Sequence, residues 1–358
     1  MATRESEIFD PTLQSGPLLD RFLAVRRERR LRHREAAHAL GVSEGAAVAA
    51  AVGSDREFRA VRLAGPWPTV LEGVPTVGTV MALTRNDSAV HEKSGRYAEM
   101  SHDGLVGLAV GREIDLRIFY GRWAHGYAVA EDGPKGTQRS LQFYDASGRA
   151  LHKVFAREAT DLAAWETLVR GSAHPDQNAG GRFAPPSPGP APKPDAEIDV
   201  AAFREGWLAL RDTHEFFPLL RRHGLARTQA LRLAPDGHAR RVPAETPRRL
   251  LESAARTGVS IMCFVGNPGI IQIHTGPVHR VEPMGPWLNV LDPGFNLHLR
   301  EDRVAQAWHV RKPTDDGDVN SLELFDAEGE TVAMFFGERK PGVPERDDWR
   351  ALLGEVLP

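Results

Sequence analysis

Apolar and polar side chains alternate along two short segments of the chain, residues 114–119 and 296–300. Isoleucine or leucine occupies every second position of the first segment, and leucine does so in the second. A period of two places successive side chains on opposite faces of a β-strand, so each segment predicts a strand with one face on a core. Residues 140–155 and 321–336 each hold two apolar runs around a D-A-x-G turn, and each predicts a β-hairpin.

Helical spacing of apolar and charged residues precedes these strand regions in both halves of the chain. Residues 18–34 and 34–40 have it in the first half, with Gly41 as the helix-ending residue. Residues 200–222 are the equivalent stretch of the second half, and Gly224 ends it. We therefore expect each half to begin with helices and to continue into strands.

The two halves are diverged copies of one module. Residues 77–155 and 258–336 match without a gap when the first is shifted by 181 positions, so that Asn86 corresponds to Asn267. The shift is 183 in the helical stretches that come before. A shared register that includes glycines, asparagine and aspartate is hard to produce by chance. Positions kept in both copies indicate scaffold, and positions that differ indicate specialised work.

The duplication predicts an α+β protein in which a module with a large antiparallel sheet, flanked by helices, is present twice. A helical segment bearing a tryptophan closes each copy, around Trp165 and Trp349. Seven prolines lie within residues 175–194, a composition typical of an extended spacer between the copies. We expect two domains, at residues 15–171 and 198–358, joined by a linker at 172–197.

Composition and charge are those of an ordinary globular protein. The 358 residues can form two substantial cores, and a formal net charge of −3 gives no reason to expect nucleic acid or a membrane as a partner. The basic run 26–34 is expected to be a solvated helix face. The single cysteine, Cys263, lies in an apolar run that predicts a buried strand position. The amino terminus lacks the apolar core of a signal peptide and no segment predicts a membrane span, so we expect a cytoplasmic protein.

One difference between the copies is a charged strand position. Arg117 aligns with His298 under the shift of 181, and both lie on the face opposite the core-directed residues of their strands. The plain interpretation is a solvated strand face. The functional interpretation is a cation directed at a ligand held against the sheet.

A second difference is a histidine in the helical stretch of the second copy, at a position where the first copy has leucine. Spacings of four, three and four predict one helical stripe formed by Phe203, Trp207, Leu210 and His214. Pro218 interrupts this helix, or a new helix begins at Asp212 through capping-box spacing with Glu215, and both remain open. A histidine on an apolar stripe is more often a satisfied core residue than a ligand. Near a break, however, one imidazole nitrogen can remain free.

Several common chemistries have no sequence support. No Walker, dinucleotide-binding, nucleophile-elbow or H-E-x-x-H sequence is present. The fourteen histidines lack cysteine partners and zinc-type spacing.

Ordered sequence blocks in both halves resemble a known family. The blocks are residues 81–97, 115–119, 140–155, 212–220, 296–300 and 335–342. They are similar to the bacterial cytoplasmic hemin-binding and hemin-degrading proteins, the HemS/ChuS-like tandem-repeat proteins of haem-uptake operons. The resemblance implies that haem b (iron protoporphyrin IX) is the ligand and that it lies in a cleft between the two halves.

The resemblance also implies roles for individual residues. The proximal iron ligand would be His214, and the distal donor would be Arg117, which stays protonated and can donate to a ligand on the iron. The residues that would hold the haem propionates are Arg227, Lys312 and Arg339. The residues expected to offer an apolar wall to the porphyrin are Phe216 and Phe217, or Trp207. We expect the other imidazole nitrogen of the ligand to donate to a backbone carbonyl or to a carboxylate such as Asp212.

Two functions fit this resemblance. The first is uptake of imported haem followed by its degradation to release iron. This would need electrons or peroxide from outside, because the chain has no flavin or nicotinamide motif. The second is a non-catalytic chaperone that delivers haem to a separate haem oxygenase. The expected partners are haem and either a reductase or a haem oxygenase. Retention of both His214 and Arg117 argues against a third reading, a repeat protein that has lost haem binding.

Overall fold

The computed structural model describes residues 15–177, 181–186, 189, 191–340 and 342–358. Among these residues the chain forms two compact units. The first unit holds the described residues up to Thr84, with Lys93–Ser187 and Asn267–Ile271; the second holds Arg85–Glu92, Pro188–Gly266 and Gln272–Pro358. Each unit therefore contains a short segment that comes from the opposite half of the chain.

Helices occur at the start and the end of each half, as expected. In the described part of the chain the α-helices are α1 (Ser15–Arg29), α2 (His33–Ala39), α3 (Glu44–Ala49), α4 (Trp67–Glu72), α5 (Leu162–Ser172), α6 (Val200–Leu208), α7 (Phe216–His223), α8 (Arg227–Arg232), α9 (Thr246–Thr257) and α10 (Asp347–Val356). Short 3-10 turns lie at Val74–Val77, Tyr120–Arg122, Asp195–Glu197, Thr213–Glu215 and Glu301–Arg303.

The strands form two large antiparallel sheets, which confirms the predicted α+β class. In the first half they are β1 (Phe58–Leu63), β2 (Gly78–Arg85), β3 (Ala89–Gly95), β4 (Met100–Asp103), β5 (Val106–Ala109), β6 (Asp115–Phe119), β7 (His125–Gly133), β8 (Gly136–Tyr144) and β9 (Ala150–Thr160). In the second half they are β10 (Ala239–Val242), β11 (Ile261–Asn267), β12 (Ile270–Gly276), β13 (Val281–Met284), β14 (Trp287–Asp292), β15 (Phe295–Arg300), β16 (Gln306–Lys312), β17 (Val319–Phe325) and β18 (Thr331–Gly337).

The duplication predicted from the sequence is confirmed strand by strand. Strands β3 and β12, and likewise β4 and β13, have the same length and differ by 181 positions at both ends. In the first unit β1, β7, β8, β9 and β2 pair in that order, and in the second unit β10, β16, β17, β18 and β11 repeat the order. Helices α3 and α8 differ by 183 positions at both ends.

An asparagine at the same position of each copy holds the segment that each unit takes from the opposite half. Asn86 belongs to the second unit, where its side-chain amide donates to the carbonyl of Val332 at 2.8 Å. Asn267 belongs to the first unit, where its amide donates to the carbonyl of Leu151 at 2.8 Å. The two acceptors also differ by 181 positions, so both copies keep the asparagine for the same structural purpose.

The alternating strand pattern is confirmed by burial. Leu116 and Ile118 are fully buried, whereas Asp115, Arg117 and Phe119 of the same strand are partly exposed. Leu297 and Leu299 are buried in β15 in the same way, and Cys263 is buried in β11 as expected. Among the described helices, none is long and apolar enough to cross a membrane.

The helix ends correct one sequence prediction and decide between two alternatives that the sequence leaves open. The predicted helix 18–34 is wrong in its last turn, since α1 ends at Arg29 and Arg30 has a left-handed backbone with φ of 53°. Over 200–222 the second alternative is confirmed, because α6 ends at Leu208 and the chain restarts at the capping box of Asp212 and Glu215. Pro218 does not break a helix. It lies in the first turn of α7, where its missing N–H would have no partner in any case.

The expectation of a solvated basic face over 26–34 is wrong in part. Arg26 and His33 both reach Glu131 on β7, His33 at 2.8 Å. The two side chains also contact the rings of Phe22 and Phe58. This part of the basic run is thus tied to the sheet of the first unit.

Between α5 and the 3-10 turn Asp195–Glu197, the described residues of the predicted linker are largely irregular and contact the units. Gln177 accepts the backbone N–H of Arg62 at 2.9 Å, and Phe183 packs on His125 with ring centroids 4.4 Å apart. Lys193 donates its backbone N–H to the carbonyl of Gly224 at 3.1 Å. The domain boundaries at 171, 172, 197 and 198 remain predictions.

Gly148 and Gly329 occupy matching positions in the two predicted hairpins, and alanine at each should lower stability for different reasons. One substitution strains the backbone only, and the other also crowds a neighbouring side chain. Gly148 and Gly329 have left-handed φ values of 83° and 82°. Gly329→Ala should lower the free energy of unfolding by about 1–2 kcal/mol, because a Cβ is strained in this region. Gly148→Ala should cost clearly more, because its Cβ would also collide with the Ser43 hydroxyl, whereas at Gly329 the nearest atom is at 3.1 Å. Denaturant unfolding measures the free energy of unfolding of both variants. Equal losses would contradict the expected collision at Gly148.

Candidate functional site

The site is built from the short connection between α6 and α7. The 3-10 turn Thr213–Glu215 occupies this connection, and a capping box closes it. Asp212 Oδ1 accepts the backbone N–H of His214 at 2.7 Å, and Glu215 Oε2 accepts the backbone N–H of Arg211 at 2.8 Å. Because both ends of the turn are capped by side chains, its backbone is well defined although it lies on the surface.

His214 projects from this turn with one nitrogen engaged and the other directed away from its partner. Its side chain is 86% exposed, and its Nδ1 lies 2.6 Å from Asp212 Oδ1. The carboxylate can only accept, so Nδ1 carries a proton, and in the neutral form of the ring the lone pair is on Nε2. The backbone N–H and imidazole of His214, together with the charge of Arg339, hold the pKa of Asp212 below its usual value.

The expected helical stripe is wrong at its last member. Phe203, Trp207 and Leu210 are buried in one core cluster, as the spacing predicts. His214 is not part of that stripe, because α6 ends at Leu208 and the chain changes direction before the histidine. The exposed imidazole is therefore not a core histidine.

The two adjacent phenylalanines have different environments. Phe216 is buried and packs edge-on against Trp207 with ring centroids 4.7 Å apart. Phe217 is 63% exposed and lies three residues after the histidine. Of the aromatic side chains expected to form a ligand wall, Phe217 is the one presented to solvent, whereas Phe216 and Trp207 belong to the core.

Two of the three expected propionate ligands form a buried ionic cluster with Glu323. Arg227 contacts both carboxylate oxygens, at 2.7 and 2.9 Å, and Lys312 Nζ lies 2.8 Å from Oε1. Lys312 has a side chain only 3% exposed and Arg227 one 22% exposed, and both cations lie against the ring of Phe216. Burial alone would raise the pKa of Glu323, but the two cations outweigh it and hold that pKa well below the usual range.

The third expected propionate ligand, Arg339, is near enough to the histidine turn for its charge to lower the pKa of Asp212. Arg339 acts on the charge of Asp212 and lies 3.7 Å from the carboxylate of Asp316. The second unit thus places Arg339 within electrostatic range of Asp212, the partner of His214. It places Arg227 and Lys312 in the neighbouring buried cluster, beneath the first turn of α7.

Glu323 was missed by sequence reasoning. The available signal was its position in the middle of an apolar strand, where the first copy has the uncharged Gln142. A carboxylate in such a place needs cationic partners, and the conspicuous basic residues of the second half were candidates for that role.

Arg117 lies in the first unit, on the partly exposed face of β6. Its guanidinium pairs with Asp115 on the same strand and donates to the carbonyl of Leu116 at 3.2 Å. Its side chain is 32% exposed, so the charge is accessible. The matching residue of the second copy, His298, bonds instead to Asn289 at 2.6 Å.

The His214 imidazole, backed by Asp212, is a single metal ligand and suits an iron ion that already has other ligands. Across the residues that the structure describes, no group of three or more His, Cys, Asp or Glu side chains could enclose a metal ion. A single imidazole backed by a carboxylate is instead suited to the axial position of an iron porphyrin, whose ring supplies the remaining nitrogens.

Two copies of an antiparallel α+β module, one of them presenting an exposed imidazole backed by a carboxylate, define a tandem-repeat binding protein. A family model described as the haemin-degrading HemS.ChuX domain matches the chain twice, over residues 41–171 and 224–356. The chain belongs to this HemS/ChuS-like family of haem utilisation proteins.

Individual relatives cover nearly the whole chain. The hemin transport protein HmuS of Yersinia pestis is 40% identical over 325 residues, which are 90% of this chain and 92% of the relative. Holo-PhuS, a heme-binding protein from Pseudomonas aeruginosa, has a TM-score of 0.92 and 48% identity, covering 96% of this chain and 99% of its own. The heme degrading enzyme ChuS of Escherichia coli O157:H7 has a TM-score of 0.88 and 36% identity, covering 96% and 100%.

Removal of the Glu323 charge should destabilise the second unit. Glu323→Gln leaves two buried cations without a counter-charge, so the free energy of unfolding near neutral pH should fall by about 3–5 kcal/mol. The depressed pKa means that the carboxylate contributes fully above the usual carboxyl range and loses this contribution as the pH falls. The difference between variant and parent should therefore narrow in acid. Denaturant unfolding across pH measures this, with the exposed Glu330→Gln as control; an unchanged midpoint at neutral pH would refute it.

Proposed function

We propose that this protein binds imported haem b in the cytoplasm and degrades it to release iron. The observation that carries the proposal is the orientation of His214. Its Nδ1 is held by Asp212 at 2.6 Å, so Nε2 is the ring nitrogen that would bind iron, on an exposed side chain of a capped turn. Neutral imidazole is a good axial ligand for haem iron.

Asp212 has two tasks in this proposal. It fixes the ring orientation, because the same oxygen binds the backbone and the imidazole of His214. It also makes the imidazole a stronger electron donor, as a carboxylate partner does for metal-bound histidines in general. Haem itself supplies the iron on which dioxygen or peroxide can react.

Other residues of the second unit would contact the porphyrin and its carboxylates. Phe217 offers an exposed aromatic face, and Arg339 supplies a cation near the turn. Arg227 and Lys312 both bind the carboxylate of Glu323. Either side chain would have to break that contact before it could bind a propionate. We therefore assign the first propionate contact to Arg339.

Arg117 is the proposed donor to a ligand on the iron. Its guanidinium stays protonated, and its pairing with Asp115 limits its orientation on the strand. With haem bound, a cationic donor held in this way would stabilise negative charge near the iron, and it would do so without giving up its proton.

The second candidate function is a haem carrier that delivers its ligand to a separate haem oxygenase. It is favoured by the name of one relative, a hemin transport protein, whereas another is a heme degrading enzyme. Degradation would need a reductase or a peroxide source as partner, and delivery would need the oxygenase.

Replacement of His214 should remove the axial ligand. His214→Ala should weaken haem binding and shift the Soret band, because the imidazole nitrogen is lost. Asp212→Asn should retain the haem but raise its reduction potential, since a neutral partner makes the imidazole a weaker donor. Haem titration and spectroelectrochemistry measure both effects, with the exposed His38→Ala as control. A parental Soret spectrum for His214→Ala would rule out the ligand assignment.

Replacement of Arg117 should separate binding from turnover. Arg117→Ala should bind haem with the parental stoichiometry but lose the Soret band more slowly in the presence of ascorbate, because the cationic donor is absent. Arg122→Ala, an exposed arginine just after the same strand, is the matched control.

Catalase added to parallel samples identifies peroxide chemistry if it protects the haem. A stable Soret band in the parent, with transfer of haem to an added haem oxygenase, would favour the carrier.

A further inference from the structure

All four tyrosines of the chain lie in the first half, and two of them bind imidazole nitrogens. Tyr97 Oη lies 2.6 Å from His152 Nε2, and Tyr120 Oη lies 3.0 Å from His102 Nδ1. Burial lowers the pKa of His152 to about 3, so this ring is neutral, and burial raises the pKa of both phenols, which stay protonated. In both pairs the phenol donates to a basic ring nitrogen.

Two tryptophans connect these phenols to the protein surface. The Trp123 ring lies 5.7 Å from that of Tyr120 and 6.3 Å from that of His152, by centroid distance. Trp67 is half-buried, and its Nε1 donates to the carbonyl of Trp123 at 2.9 Å. Both indoles also pack on one further aromatic ring, that of Phe143, at 5.8 and 4.7 Å. The four oxidisable rings are thus joined by contacts and hydrogen bonds within the first unit.

The second copy does not need this chemistry to build the same fold. The positions that match Trp67, Tyr97, His102, Tyr120, Trp123 and His152 under the shift of 181 are Arg248, Val278, Pro283, Glu301, Val304 and Ala333. Aliphatic and charged side chains therefore serve equally well in this part of the module. The aromatic rings and their imidazole partners have been acquired or kept in one copy only, which indicates a purpose other than packing.

Indole and phenol are the neutral side chains that lose one electron most readily. Oxidation makes a phenol a strong acid, so a base already hydrogen-bonded to it lowers the cost of removing the electron. The imidazoles of His102 and His152 are such bases. Glu72, 3.4 Å from Nε2 of His102, would stabilise the positive charge that this ring gains.

We propose that Trp67, Trp123, Tyr120 and Tyr97 form a one-electron relay that carries oxidising equivalents to the surface of the first unit. The proposal rests on the proposed function, since peroxide reacting at bound haem would supply the oxidising equivalent. Tyr120 follows the carboxyl end of β6 and lies three residues after Arg117, roughly 10 Å along the chain in extended backbone. The relay thus starts close in sequence to the proposed distal donor.

The step balances in electrons and protons. Tyr120 gives one electron to the oxidant and its hydroxyl proton to His102 Nδ1, which leaves a neutral phenoxyl radical and an imidazolium. Trp67 then reduces the phenoxyl by way of Trp123, and the proton returns from the imidazolium to the phenol oxygen. A one-electron donor in solution, such as ascorbate, finally reduces Trp67 where its ring reaches solvent.

The test uses the full-length protein without haem, so that its outcome is independent of haem binding. A ruthenium(III) tris-bipyridine oxidant, generated by flash photolysis, oxidises accessible tryptophan at the surface. Each exchange between an indole and a phenol is reversible, and no donor is present to reduce Trp67, so the oxidising equivalent should travel inward along the same path. In the parent the visible absorption of the tryptophan radical should therefore decay while the narrower near-ultraviolet band of a tyrosyl radical grows with the same rate. Electron paramagnetic resonance of frozen samples identifies the tyrosyl species.

Variants locate the path. Trp123→Phe keeps an aromatic ring but should abolish the growth of the tyrosyl band and prolong the tryptophan radical. The double variant Tyr97→Phe/Tyr120→Phe should lose the tyrosyl band. Tyr144→Phe is the matched control, because this buried tyrosine donates to Gln142 and not to an imidazole, and its tyrosyl band should remain. Circular dichroism and unfolding midpoints verify that each variant is folded.

Two results would overturn the relay. One is a parent protein in which tryptophan radicals decay without forming any tyrosyl radical. The other is a tyrosyl band that survives in the Tyr97→Phe/Tyr120→Phe variant and disappears in Tyr144→Phe. Failure of haem titration, by contrast, would remove the proposed function and leave the result on the haem-free protein intact.

Discussion

A single carboxylate oxygen determines the geometry of the proposed iron ligand. Asp212 Oδ1 accepts both the backbone N–H and the ring nitrogen of His214, at 2.7 and 2.6 Å. The first of these bonds starts the turn that leads into α7, and the second orients the imidazole. The exposed ring is thereby coupled to the start of a helix, and it has less rotational freedom than its exposure would suggest. Changes that shift this helix start would also move the ligand, whether or not they touch it.

The first turn of α7 packs on the buried ionic cluster of Arg227, Lys312 and Glu323, and two matching positions of the copies carry opposite charges there. Glu44 of α3 pairs with Lys153 in the first unit, whereas the matching Arg227 of α8 pairs with Glu323 in the second. Glu131 and Lys312 are a second matched pair of opposite sign. Burial of charge is tolerated in either sign so long as each group has its partner. The partners do not occupy matching positions, because Glu323 matches Gln142 and Lys153 matches Met334. Each copy therefore supplies a counter-charge from a position of its own, since a changed sign at the shared position alone would have left an unpaired ion.

Much of the scaffold could be predicted from the chain because its signals are local. The strands at 115–119 and 295–300 follow from the alternation of apolar residues, and the hairpins follow from their D-A-x-G turns. The end of α6 was harder to predict, because two signals for a helix break lie close together in the sequence. One is Pro218, and the other is the capping box of Asp212 and Glu215. The exposure of His214 depends on that break, which the sequence offers only as one of two alternatives. Lys312 lies next to Glu323 only through the pairing of β16 with β17, and Arg227 joins them from α8, so no local pattern indicates that the three share one ionic cluster.

The asparagine bonds hold the short segment that each unit takes from the opposite half of the chain, so neither half is complete without the other. Asn86 comes from the first half but completes the second unit, and Asn267 does the reverse. Cutting the proline-rich spacer would not release two self-sufficient proteins, because each half would lose the backbone partners that the other contributes. The carbonyl of Gly269, for example, accepts from Phe119 and from the Trp123 indole of the first unit. The duplicated halves have become obligate parts of one another, and a polypeptide with a single copy would need a second molecule to make the same bonds.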